Sequence, residues 1–166
     1  MEVIALVGKL RESAKFKEWH SANSSAKFVH IFLMVEPGKD TLYDIGFFDY
    51  EKSLMTSFVV DAGLKSIEVS ESKEVFSEDP QKIKPIDESR VKVHFDDAIK
   101  TAAELQASKY KAHTPMKEVV ILQNLEVGQV WNITYVTNSF QTLNIKVDAE
   151  NGKVLDDKLH QIFSMG

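Results

Sequence analysis

Val60-Asp61-Ala62 and, near the end of the chain, Val147-Asp148-Ala149 close two stretches with the same order of elements. Working outward from them, Ile31-Phe32-Leu33-Met34 lines up with Val119-Val120-Ile121-Leu122, and Tyr43, Ile45 and Phe47 line up with Trp131, Ile133 and Tyr135. These upstream pairs share an offset of 88 residues and the Val-Asp-Ala pair an offset of 87, the change that one residue in a hairpin makes. Self-similarity at a fixed offset is read first, because it decides how many structural units share the chain. The pattern predicts two units: residues 1–76, then a linker over 77–90, then residues 91–166.

Each unit reads as one helix followed by a small antiparallel sheet. Val3, Ile4, Leu6, Val7, Leu10 and Ala14 fall at helical spacing, with Lys9, Glu12, Lys15 and Lys17 on the wet side, so one amphipathic helix is predicted from residue 2 to about 20. The polar cluster Ser21-Ala22-Asn23-Ser24-Ser25 ends it. Strands are expected at Lys27–Glu36, Thr41–Tyr50, Leu54–Asp61 and Lys65–Ser72, with Pro37-Gly38-Lys39-Asp40 supplying turn chemistry. Ser77 to Arg90 carries two prolines, many charges and little apolar content, which marks the linker. Val91-Lys92-Val93 has the composition of a short strand leading into the second unit.

The second unit opens at Phe95-Asp96-Asp97, where carboxylates suit a helix start. The helix should run to about Tyr110, with Phe95, Ala98, Ile99, Ala102 and Leu105 on its covered face. Strands follow at Met116–Leu125, Gln129–Thr137, Phe140–Asp148 and Lys153–Leu155, and Asp156-Asp157 is read as the start of a short terminal helix carrying Leu159, Ile162 and Phe163. A helix on one face of a small sheet gathers a marginal core. The two units are therefore expected to pack together, back to back, and cover each other's leftover apolar surface.

Composition excludes several chemistries. The chain has 166 residues, 43% hydrophobic and 27% charged, with a net charge of -5 and no cysteine. An acidic balance with no concentrated basic face argues against a nucleic-acid binder. Without cysteine there is no disulfide framework, thiolate metal site or cysteine nucleophile. No apolar run approaches the roughly 20 residues that cross a bilayer, and Val3-Ile4-Ala5-Leu6-Val7 is too short for a secretory signal core. A cytoplasmic location is expected from this, with an exported form trimmed of its leader as the other possibility.

Trp131, Ile133 and Tyr135, then Ile145-Lys146-Val147-Asp148-Ala149, then Asn151-Gly152-Lys153-Val154 together resemble the PepSY domain family over roughly Phe95 to Leu155. The first half departs from that pattern: Tyr43 stands at the tryptophan position and Gly63 alone makes the turn. The resemblance implies an α+β fold of two tandem cystatin-like units, each one helix packed on a 3–4-stranded antiparallel sheet. It implies a binding or inhibitory role toward proteins, and it supplies no catalytic residues.

The individual residues point the same way. Trp131 is expected as a core anchor under the helix, and Asp148 as an acceptor of backbone amides in the turn to Gly152. A calcium loop at Asp148, Glu150 and Asn151 lacks enough oxygens. Among His20, His30, His94, His113 and His160 no metal-ligand spacing occurs. His94 with Asp96 and Asp97 is better read as a solvated helix start, His30 as a hydrogen-bonded strand histidine, and Lys109, Lys111 and His113 as charge complementary to a helix end. Phosphate loops and nucleophile elbows are absent. The expectation is a non-enzymatic protein-binding or regulatory module, such as a peptidase inhibitor or modulator, with no cofactor or metal and another protein or peptide as partner, held through an open strand edge. The alternative is a small-ligand carrier or sensor whose apolar pocket is lined by Phe47, Phe48, Phe58 or Trp131.

Overall fold

In both halves most strand residues at every second position are apolar, so each half can lay an apolar face under helices. The computed structural model describes residues 2–72 and 82–161. Its elements are α1 (Val3–Glu12), α2 (Ala14–Ala22), β1 (Lys27–Val35), β2 (Leu42–Asp49), β3 (Leu54–Asp61), β4 (Ile67–Ser72), α3 (Phe95–Lys109), β5 (Pro115–Leu125), β6 (Gly128–Thr137), β7 (Gln141–Asp148) and β8 (Val154–Gln161). All eight strands form one antiparallel sheet in the order β4-β3-β2-β1-β5-β6-β7-β8.

That order corrects the expected two cystatin-like units. The halves do not stack back to back; β1 and β5 pair directly, from His30 opposite Gln123 to Val35 opposite Glu118. An open edge leaves a row of N–H and C=O groups without partners, and zipping two edges together satisfies both rows. The register is symmetric about the repeat: Ile31 faces Leu122 and Met34 faces Val119, so equivalent residues exchange places across a local two-fold. The fold is a sheet-rich α+β architecture with a single core.

The core lies on one face. Val3, Leu6, Val7 and Leu10 of α1, Phe16 of α2 and Ala98 and Ala102 of α3 meet Ile31, Leu33, Ile45, Phe58, Val120, Leu122, Ile133 and Ile145 of the sheet, and all are buried. Small alanines on α3 let its axis approach the strands closely. Trp131 is 1% exposed, and its indole N–H donates to the Val93 carbonyl at 3.0 Å, as a buried indole requires. Core anchorage at Trp131 is therefore seen directly.

Three local expectations are corrected. The single helix over residues 2–20 breaks at Ser13, whose hydroxyl donates to the Leu10 carbonyl (2.7 Å) and accepts from the Phe16 amide (3.2 Å), ending α1 and capping α2 at once. The terminal helix at Asp156-Asp157 is the strand β8 instead; its Leu159 lies opposite Leu143, and Asp157 takes Lys109 (2.7 Å) and Tyr110 from the end of α3. Ile162 and Phe163 of that expected helix lie outside the described residues. Val91–Val93 is no strand, but the Lys92 and Val93 amides both donate to the Ala149 carbonyl at 2.9 Å.

Both Val-Asp-Ala segments close turns by the same device. Asp148 Oδ1 accepts the amides of Glu150 (2.8 Å) and Asn151 (3.0 Å), and Asp61 accepts those of Gly63 (3.1 Å) and Ser66 (2.7 Å). Residues 77–81 of the expected linker lie outside the described residues. The rest is docked on the sheet: Lys84 bridges to Asn124, and the buried Ile86 donates its amide to the Phe28 carbonyl at 2.9 Å.

Candidate functional site

Strand alternation sends His30, Phe32, Met34, Leu42, Asp44, Phe48, Val59, Val119 and Ile121 to the face opposite the helices. Phe48 is buried there beneath Tyr50, whose hydroxyl donates to the Ile83 carbonyl at 2.5 Å. Toward the other end of these strands the face is open. Leu42 is 51% and Met34 38% exposed, and Phe32, Val59, Val119 and Ile121 are partly exposed. Phe32, Met34, Leu42 and Val59 line a hollow of about 290 Å³, rimmed by Glu36, Lys39, Asp40 and Asp44.

Charge at the rim is partly spent. Glu36 accepts Lys39 (2.5 Å) and Lys117 (3.2 Å), and those two ammonium groups hold its carboxyl below the usual carboxylate range. Farther along the same strands, the His30 imidazole lies against Gly46, where any side chain would overlap the ring: an added Cβ would come within 2.2 Å of it. This places His30 Nε2 3.6 Å from Asp44 Oδ1, a carboxylate oxygen with no hydrogen-bond partner of its own. Beside the hollow, a row of amides crosses the same face: Asn132 donates to Gln123 (3.0 Å), Asn144 to Asn132 (2.5 Å) and Thr134 (2.9 Å), and Lys146 to Asn144 (2.7 Å). An apolar hollow next to a self-satisfied polar ladder offers contact area without a large desolvation penalty.

A second depression lies on the helix side, where Arg11, Phe16, Phe28, Phe47, Ile86 and Glu88 are among the residues around about 310 Å³. Here the expected pocket residues part company. Phe47 lines this cleft, Phe58 and Trp131 are 0% and 1% exposed inside the packed core, and Phe48 is on the opposite face. Phe58 and Trp131 are among the lining residues of neither hollow.

The other candidate residues fall into structural roles. His94 Nδ1 sits 2.6 Å from Glu2 Oε2 at the start of α3, with Asp96 and Asp97 in its first turn. His113 meets the Ser139 hydroxyl at 3.1 Å, His20 stacks on Phe16, and Lys109 is paired with Asp157. Glu150, considered with Asp148 and Asn151 for calcium, is held by Arg90 (2.8 Å) and Lys92 (3.4 Å), which keep its carboxyl below its ordinary range. No metal-holding group of His, Asp and Glu occurs among the described residues. Arg11, Glu88 and the His30–Asp44 pair were not reached by sequence reasoning.

One half-buried carboxyl stands apart from these pairs. Glu118, opposite Tyr135 on the helix side of the sheet, has an oxygen with no hydrogen-bond partner, and burial pushes its carboxyl up. The phenol of Tyr135 is pushed up too, by burial and then by the Glu118 charge. A raised carboxyl makes the folded state hold its proton to higher pH than the unfolded chain does. Stability is then lost as pH rises through the folded value and is unaffected below the ordinary glutamate range. Glu118→Gln should therefore stabilise the protein at pH 7, with the gain vanishing near pH 4. Urea melts at the two pH values read the difference.

No family model and no curated protein matches this chain. Among solved structures it is similar to the crystal structure of a candidate lipoprotein from Clostridium difficile 630, with a TM-score of 0.60 and 17% identity, covering 88% of this chain and 90% of that one. At that identity the likeness is one of fold.

Proposed function

We propose that this chain is a non-enzymatic protein-binding module that holds its partner on the helix-free face of the sheet, around Phe32, Met34, Leu42 and Val59. The observation that carries the reading is that Met34 and Leu42 are exposed and Phe32 and Val59 partly so around one hollow, rimmed by charges, on a face that no helix covers. Contiguous apolar surface with a polar rim is the ordinary anatomy of an interface core.

The face, and not a strand edge, is the proposed route. Edge strand β4 carries Glu68 and Glu71, and the Lys15 ammonium donates to its Ile67 carbonyl at 2.6 Å. Edge strand β8 carries Asp156, Asp157 and Lys158. Such charges are how sheets discourage strand addition.

The PepSY-like reading of Phe95–Leu155 is kept as part of this proposal, supported by the succession of helix α3, the tryptophan strand β6 and the Val-Asp-Ala strand β7. The location is a proposal as well. No helix among the described residues is long and apolar enough to cross a membrane, and the shared fold with a candidate lipoprotein favours export over the cytoplasm.

The test is affinity capture from the host's own extract with the wild type and with Met34→Lys/Leu42→Lys, followed by identification of retained proteins and peptidase-inhibition assays. A partner held stoichiometrically by the wild type and lost by the variant is expected. No retained partner, or one held equally by both, overturns the reading.

A further inference from the structure

On the helix side, away from the proposed partner face, the 310 Å³ cleft is built around one half-used guanidinium. Arg11 reaches from the last turn of α1 and donates through Nη1 alone to both carboxylate oxygens of Glu88, at 2.8 and 3.0 Å. Its other two guanidinium nitrogens have no hydrogen-bond partner among the described residues. The guanidinium carbon sits 5.9 Å from the ring centres of both Phe28 and Phe47, which form an aromatic floor. Lys27 adds a second positive charge to the lining, and Glu88, already engaged, is the one carboxylate there.

We propose that this cleft binds a small carboxylate with an aromatic or short apolar body, and that Glu88 fills the position of the ligand's carboxylate when the cleft is empty. The chemistry follows from the donor. A planar guanidinium matches two carboxylate oxygens side by side, whereas Nη1 alone serves both oxygens of Glu88, so the paired geometry with a neighbouring nitrogen is left unused. Aromatic rings beneath a guanidinium favour an apolar or aromatic body over a hydrated one. The volume, at the small end of ligand pockets, limits the body to about one or two rings.

A merely structural latch between α1 and the connector makes the opposite prediction for Glu88, and that separates the two. The probe is 3-phenylpropionate, with the uncharged 3-phenylpropionamide as control, titrated against the full chain while the amide resonances of Phe28, Phe47 and Ile86 are followed by NMR. Saturable shifts with the acid and none with the amide are expected. Glu88→Gln should tighten binding about tenfold by freeing Arg11, the worth of one charge-assisted hydrogen bond. Arg11→Met should abolish it, with the tryptophan fluorescence and amide spectrum of the folded state confirming that this variant still folds. Equal shifts with acid and amide, no saturable shifts in either wild type or Glu88→Gln, or weaker binding by Glu88→Gln would each overturn the proposal.

Discussion

Trp131→Ala is expected to lower the stability of the whole chain by about 3–5 kcal/mol, the cost of emptying a large aromatic site in a packed core. Trp131 is 1% exposed, packs edge-on against Phe95 at 5.7 Å and is tied by its N–H to Val93. The chain has two tryptophans, so the variant leaves Trp19 as the lone indole reporter. Trp19 belongs to the first half, on α2, within 5.0 Å of the Phe58 ring. Its fluorescence in a urea titration should show the full loss, because the sheet joins both halves in one core. A Trp19 transition unmoved by the loss of Trp131 would mean that the halves unfold independently. Trp131→Phe keeps most of the volume and gives up the bond to Val93, so a loss of about 1–2 kcal/mol is expected for it.

Val120→Asp should be at least as severe, at about 4 kcal/mol or more near neutral pH. Val120 is fully buried on β5, opposite Leu33 across the seam between the halves and opposite Ile133 within its own half. No cation is positioned among those neighbours to receive a carboxylate, so the new group favours its neutral form and its pKa rises. The loss should therefore shrink as pH falls toward the ordinary aspartate range. Circular dichroism and the fluorescence of both tryptophans should report one shared midpoint, displaced together. Displacement of the second-half signal alone would contradict the continuous core. Val120→Thr, with a similar shape and one hydroxyl, gives a loss of about 1–3 kcal/mol as the comparison.

Much of the strand layout could be read from alternation. β3 is found at Leu54–Asp61 as expected, and most other strands begin and end within a residue or two of their expected bounds. The reason is that period-two apolar patterns and Asx turns act locally: Asp148 performs the turn role expected of it, and Asp61 performs the same role where Gly63 alone was expected to make the turn. What the pattern could not carry was the partner of each outer strand. Ile31-Phe32-Leu33-Met34 is apolar on both faces, which suits burial under a second unit and equally suits a central strand with one half-exposed face. Only β5 in place decides between them. The reading of Asp156-Asp157 as a helix start misled for a related reason: pairing with β7 and the hold of α3 on Asp157 place Val154–Gln161 in a strand.

The candidate sites were less legible, because both are made by residues distant in sequence. Arg11 and Glu88 are 77 positions apart, and neither is unusual where it stands. One signal was available at the other site. A glycine inside a strand, as in Ile45-Gly46-Phe47, marks a place where something approaches the backbone closely. That something is the His30 ring, which also explains its place beside Asp44.

The central claim is that β1 and β5 zip the two halves into one sheet, and backbone NMR tests it most directly. Cross-strand proton contacts should alternate between Hα–Hα and amide–amide along Phe32/Ile121, Leu33/Val120 and Met34/Val119, and the amides of both strands should exchange slowly. Contacts present for β1 with β2 and for β5 with β6, yet missing across these three pairs, would contradict it.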